Sequence, residues 1–91
     1  MAQVIFNPRE ARAFAEDLNL RAFELRRLNA AILGRILETG STWQDDKFRR
    51  FASQYDGHCV LLQRFAERAE RFADHLRTKA ADIERFLERP Y

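Results

Sequence analysis

From Phe48 to Leu87, three adjacent columns of residues repeat every seven positions without a slip of phase. The central column is Phe48, Tyr55, Leu62, Ala69, Leu76 and Ile83. One flank is Phe51, His58, Phe65, Phe72, Lys79 and Phe86; the other is Ala52, Cys59, Ala66, Ala73, Ala80 and Leu87. A strict seven-residue repeat held this long requires a helix that supercoils left-handed against neighbours. The flanks differ in kind. Alanines let a neighbouring helix approach closely, whereas phenylalanines need a partner that can receive large rings. The pattern therefore predicts two different neighbours, one from the same chain and one from another.

The first half of the chain supplies the intrachain neighbour. Asn7-Pro8-Arg9-Glu10 is a strong helix start: Asn7 can cap, Pro8 presets φ at the first helical position, and Glu10 can close a capping box. Phe6 can staple onto Ala11. The predicted inward columns are Ala11, Leu18, Leu25 and Ile32, with Phe14 and Leu28 on one side and Ala15, Ala22 and Ile36 on the other. Asn29 falls at the edge of this face, and Leu20, Phe23, Leu33 and Leu37 add apolar surface beyond it. A single helix–helix contact leaves much of that circumference open.

Between the halves, Thr39-Gly40 predicts a left-handed stop and Ser41, followed by Gln44, predicts a new cap. Asp45 and Asp46 then suit the positive end of a helix dipole. The reading is an all-α, antiparallel two-helix hairpin over about 8–38 and 43–88, one domain over 1–91 with its turn at 39–42. Asp56-Gly57 is a turn signal in isolation. The columns nevertheless pass from Tyr55 to Leu62 in phase, and a mid-helix glycine costs only about 1 kcal/mol, so one continuous second helix is predicted.

At 1.5 Å per residue the two helices would span roughly 45 and 68 Å. Folding about the turn sets residue 11 near residue 71, so Phe72 to Leu87 should overhang its partner. The expected interface residues are Phe48, Phe51, Phe65, Phe72, Leu76, Ile83 and Phe86, and dimerisation into a four-helix bundle is the expected way to cover them. Trp43, the chain's one tryptophan, is expected to be buried at the hinge against Phe48 or a partner helix.

Charge argues against nucleic acid. The net charge is +2, and residues 8–38 carry six Arg against five acids while 43–91 carry ten Lys/Arg against nine. Interleaved signs of this kind describe solvated helix faces. The cluster Lys47, Arg49 and Arg50 directly follows two aspartates. With Cys59 alone, no intrachain disulfide can form. His58, Cys59 and His75 lack metal-ligand spacing, the three glycines are isolated, and no nucleophile–base set or paired carboxylates stand out. No cofactor, metal, catalytic residue or enzymatic activity is expected. The N-terminus lacks the basic start and long apolar run of a cleaved signal peptide, and no stretch has the apolar length of a membrane span. A chain made in the cytoplasm is expected, exported, if at all, without such a signal.

Gly40-Ser41-Thr42-Trp43-Gln44-Asp45, near the middle of a chain of this length, resembles the Trp-x-Gly turn of the small WXG proteins associated with type VII secretion. Phe48 and Phe51 fall where that family usually carries apolar residues. The resemblance implies a helical hairpin that pairs with itself or a paralogous hairpin, serving as an effector, a chaperone-like partner or a substrate of a secretion ATPase. Two departures stand out. Asp45 replaces the motif glycine, a change that still suits a helix start. The family's export signal, a Tyr with an acidic residue four positions later, is absent, since Tyr55 is followed by Cys59 and Tyr91 is the last residue. The alternative reading is a structural subunit or adaptor of a larger helical assembly that is not itself exported.

Overall fold

The computed structural model describes residues 5–88; the Met1–Val4 lead and the Arg89–Tyr91 stop fall outside them. Two helices, α1 (Pro8–Gly40) and α2 (Asp46–Leu87), pack antiparallel into a flat hairpin about 72 Å long and 13 Å thick. Asn7 caps α1 as its sequence dictates, its Oδ1 accepting from the N–H of Arg9 at 3.0 Å and of Glu10 at 3.3 Å. Continuity of α2 through Asp56-Gly57 follows the unbroken apolar phase.

The hinge differs from expectation in three ways. First, α1 runs on through Gly40, which keeps a negative φ, and ends at Ser41 in right-handed geometry. Ser41 Oγ donates back to the Glu38 carbonyl at 2.7 Å, so Ser41 closes α1 and does not open α2. Gly40 is needed for space: a Cβ there would meet the Phe48 ring at 3.2 Å. Second, the cap of α2 is Asp45, whose carboxylate accepts from the Phe48 N–H at 2.7 Å. The connection is thus Ser41–Asp45, later than the predicted turn. Third, this shift of the fold point re-registers the helices. Ala11 and Ala15 cluster with Ala73 and Leu76, not with residue 71.

As a result Phe72 to Leu87 is not an overhang. Ala73, Leu76 and Ala80 are buried along the chain's own seam, and only the last turns of α2 pass the start of α1. Leu76, expected on the partner surface, belongs to the intrachain core because the longer α1 reaches it. That core is made of small residues. Ala15, Ala22, Ala66, Ala73 and Ala80 are at most 1% exposed, and among the described residues no large side chain is fully buried. The alanine flank of α2 is therefore the intrachain one, as its size demands. Asn29, read as an edge residue, lies in this seam. It continues the Ala15–Ala22 column, donates to Cys59 Sγ at 2.9 Å, and accepts from the Tyr55 hydroxyl.

Candidate functional site

Because the seam is narrow and alanine-lined, everything larger is pushed to the hairpin's two broad sides. Each helix presents one column on either side of the seam, and the two sides carry opposite chemistry.

On the back, Arg12, Asn19 and Arg26 of α1 stand at seven-residue intervals opposite Glu84, Arg77 and Glu70 of α2. Arg12 makes a two-pronged pair with Glu84 at 2.9 and 3.0 Å, and Arg26 pairs with Glu70 at 2.6 Å. Asn19 sits between them with its amide oxygen placed to accept from Arg77 at 2.7 Å when assigned by that network. The hydrogen bond from Arg12 holds the Glu84 carboxyl below its ordinary range, against an opposing pull from desolvation, and Arg26 does the same for Glu70.

On the front, the flanking columns are Phe14 and Leu28 of α1 and Phe51, Phe65, Phe72 and Phe86 of α2. Phe14 and Phe72 meet edge to face across the seam at 6.4 Å, and Phe51 stacks on Tyr55 at 6.4 Å. Lys79 lies 5.0 Å over the Phe6 ring, a cation–π contact that lets this flank keep a charge. Between the flanks run the half-buried Leu18, Leu25, Ile32, Phe48, Leu62 and Ile83. The rings themselves stay open to water, with Phe14 at 50% and Phe65 at 59% exposure. Near the hinge, Ile32, Ile36, Phe48 and Phe51 line a shallow apolar groove of about 390 Å³.

Of the residues expected at an interface, Phe51, Phe65, Phe72 and Phe86 are exposed on this front, Phe48 and Ile83 lie half-buried beside them, and Leu76 is beneath. Trp43 departs from expectation. It is 60% exposed, and its indole N–H donates to Asp45 Oδ2 at 3.1 Å. Phe48 already fills the space against Gly40, and the connection carries Trp43 out beyond the helix ends. Leu20, Phe23, Leu37 and Val60 are also exposed, off the front. Sequence reasoning found the phenylalanine column but missed the back ladder, whose signal was the seven-residue spacing of Arg12, Asn19 and Arg26.

Among the described residues the one buried polar side chain is Asn29, satisfied by Cys59 and the half-buried Tyr55. Burial, with Cys59 adding to it, pushes the Tyr55 phenol up. Among the described residues no three metal-ligating side chains converge, and no helix is long and apolar enough to cross a membrane. The arrangement offers a surface for packing. No protein-family model matches the chain, and no curated protein or solved structure matches it.

Proposed function

We propose that the chain is a protein–protein interaction module, one hairpin of a four-helix bundle completed by another hairpin. The observation that carries this reading is the uncovered front, where Phe14, Phe51, Phe65 and Phe72 are each about half exposed on one side of a 13 Å-thick sheet of two helices. A half-exposed ring retains roughly 100 Å² to bury, worth about 2.5 kcal/mol. Four rings supply about 10 kcal/mol, comparable to the general cost of association. The leucines and isoleucines between them provide the surplus.

The hinge supports a WXG-like form of this role, a small secreted or secretion-associated protein acting as a homo- or heterodimer. Trp43 is displayed at the fold tip, where a partner can reach it, and Asp45 stands at the motif's third position as a helix cap. A secretion ATPase belongs to that form of the role. A second reading, a subunit or adaptor of a larger helical assembly, draws on the exposed Phe86 and Leu87 at the far tip.

Size-exclusion chromatography with light scattering tests both. A helical dimer is expected for the bundle. Polymers would favour the assembly subunit, and a monodisperse monomer at high micromolar concentration would overturn the association reading.

A further inference from the structure

The rings drive association without choosing an arrangement; the charges along the rim of the front do choose. Beyond Phe14 and Leu28, whose own column continues with Arg21 and Arg35, the outer edge of α1 carries Glu10, Asp17, Glu24 and Glu38, all exposed, against Arg27. Beyond the phenylalanine column, the outer edge of α2 carries Lys47 and Arg68 against Asp82, and one column further round Arg50, Arg64, Arg71 and Arg85. Arg21 already bridges Asp17 and Glu24 at 3.4 and 3.0 Å, and Arg35 bridges Glu38 at 3.3 Å. Asp82 is held by Arg85. The balance stays acidic on α1 and basic on α2.

We propose that the occupant of the front is a second copy of this chain, related by a twofold axis parallel to the helices. One protomer's α1 then lies beside its partner's α2, and both hinges sit at the same end of the bundle. This rests on the association reading above and adds the partner's identity and geometry. Rotation about such an axis preserves height along the bundle, so residues level with each other within a chain are level across the interface too. The register that sets Asn29 beside Cys59 and Ala15 beside Ala73 makes Asp17 level with position 71, Glu24 with 64 and Glu38 with 50. Each of those positions is an arginine. Three acids of one protomer stand level with three arginines of its partner, within reach of long side chains along the edge, and symmetry repeats the set on the other edge.

A twofold axis across the helices would instead set α1 against α1 and α2 against α2, with the hinges at opposite ends. That brings acidic edge to acidic edge and basic edge to basic edge. Exposed pairs are individually weak, but the three level acid–arginine pairs exist only in the first arrangement, and the second sets each edge's net charge against its like.

The test is a distance and an exchange on the full chain. With a spin label at Thr42→Cys in a Cys59→Ser background, pulsed electron resonance should read less than about 30 Å, since neighbouring helix axes lie about 8–10 Å apart. Hinges at opposite ends of the 72 Å hairpin would read well beyond that and overturn the geometry while leaving the association reading intact. A monomer by light scattering, with no dipolar coupling, would overturn both. The exchange uses Asp17→Arg/Glu24→Arg/Glu38→Arg and Arg50→Glu/Arg64→Glu/Arg71→Glu chains. Each alone should dimerise about tenfold or more weakly than the parent, and their mixture should recover dimer. Dimers of undiminished strength from each alone would overturn the proposal. Should either chain lose its helical circular dichroism, the label distance on the parent charges decides.

Discussion

On the side that carries Arg12, Arg26, Glu70 and Glu84, the hairpin ends in groups that satisfy one another; on the side that carries Phe14, Phe65 and Phe72, it ends in rings that face water. Both sides flank the same alanine seam, so the difference is not one of fold stability. The back ladder has its partners within the chain, and exposed ion pairs of this kind are worth little each. The front has large apolar area that nothing in the chain covers. The same two helices therefore close one surface and leave the other open, and the proposed function rests on the open one.

That contrast breaks most directly at Phe65 and Phe72. Replacing both with Glu places two charges in the proposed bundle core, and the dimer constant should weaken by at least a thousandfold, an estimate from the several kcal/mol cost of burying unpaired charge. Light scattering reads the loss, while helical circular dichroism stays because neither ring is buried within one chain. Phe23→Glu, an equally large change away from the front, should leave the dimer intact. If Phe23→Glu dissociates it instead, association runs through the side that carries Phe23.

The next effect tests the seam beneath both faces. Ala66→Leu overpacks a position with no free surface and should destabilise the hairpin by about 1–3 kcal/mol, lowering the thermal midpoint. A variant as stable as the parent would show that the helices do not approach as closely as the alanines imply. Trp43→Ala should cost less than about 1 kcal/mol of stability, as for other exposed sites, leaving helicity and dimer unchanged. Any loss should appear in capture of a further partner, and a large drop in melting temperature would contradict the exposed indole.

The smallest effect belongs to the back. Glu70 and Glu84 titrate below their ordinary value in the fold, so their contribution is present above the unfolded carboxylate range near about 4.3 and is lost as pH falls through the lowered folded values. Melting temperature should fall slightly across that acid window, and less so in an Arg12→Gln/Arg26→Gln variant. An identical acid profile in that variant would show that the ladder does not set the acid dependence.

The helices, the side of α2 that meets α1 and the phenylalanine column were legible because each follows from periodicity and side-chain size. The hinge was harder to read. Ser41 and Asp45 are both good caps, and the choice between them depends on Phe48 reaching Gly40, a contact made only after folding. That ambiguity of a few residues propagated along the helices and moved Leu76 from the partner surface to the core. Trp43 was misplaced for a related reason: its size argued for burial, but a five-residue connection carried it past the packed ends. The paired acids and arginines of the back and rim could not be matched until the register was known.

Alanines repeating every seven residues on both strands of a seam define a staircase with identical steps. Ala15 and Ala22 would fit Ala66 and Ala73 about as well after a slide of one heptad as before it. Asn29 removes that degeneracy. One step either way sets its amide against Ala66 or Ala52 in place of Cys59, and strips it of the thiol it donates to and the Tyr55 hydroxyl it accepts. A buried amide left without partners costs roughly 1–3 kcal/mol, a large part of what a seam of methyl groups can hold. The single polar residue in the narrowest part of the molecule thus acts as a detent: it fixes where the chain turns back, and with that which acids and arginines stand level along its edges.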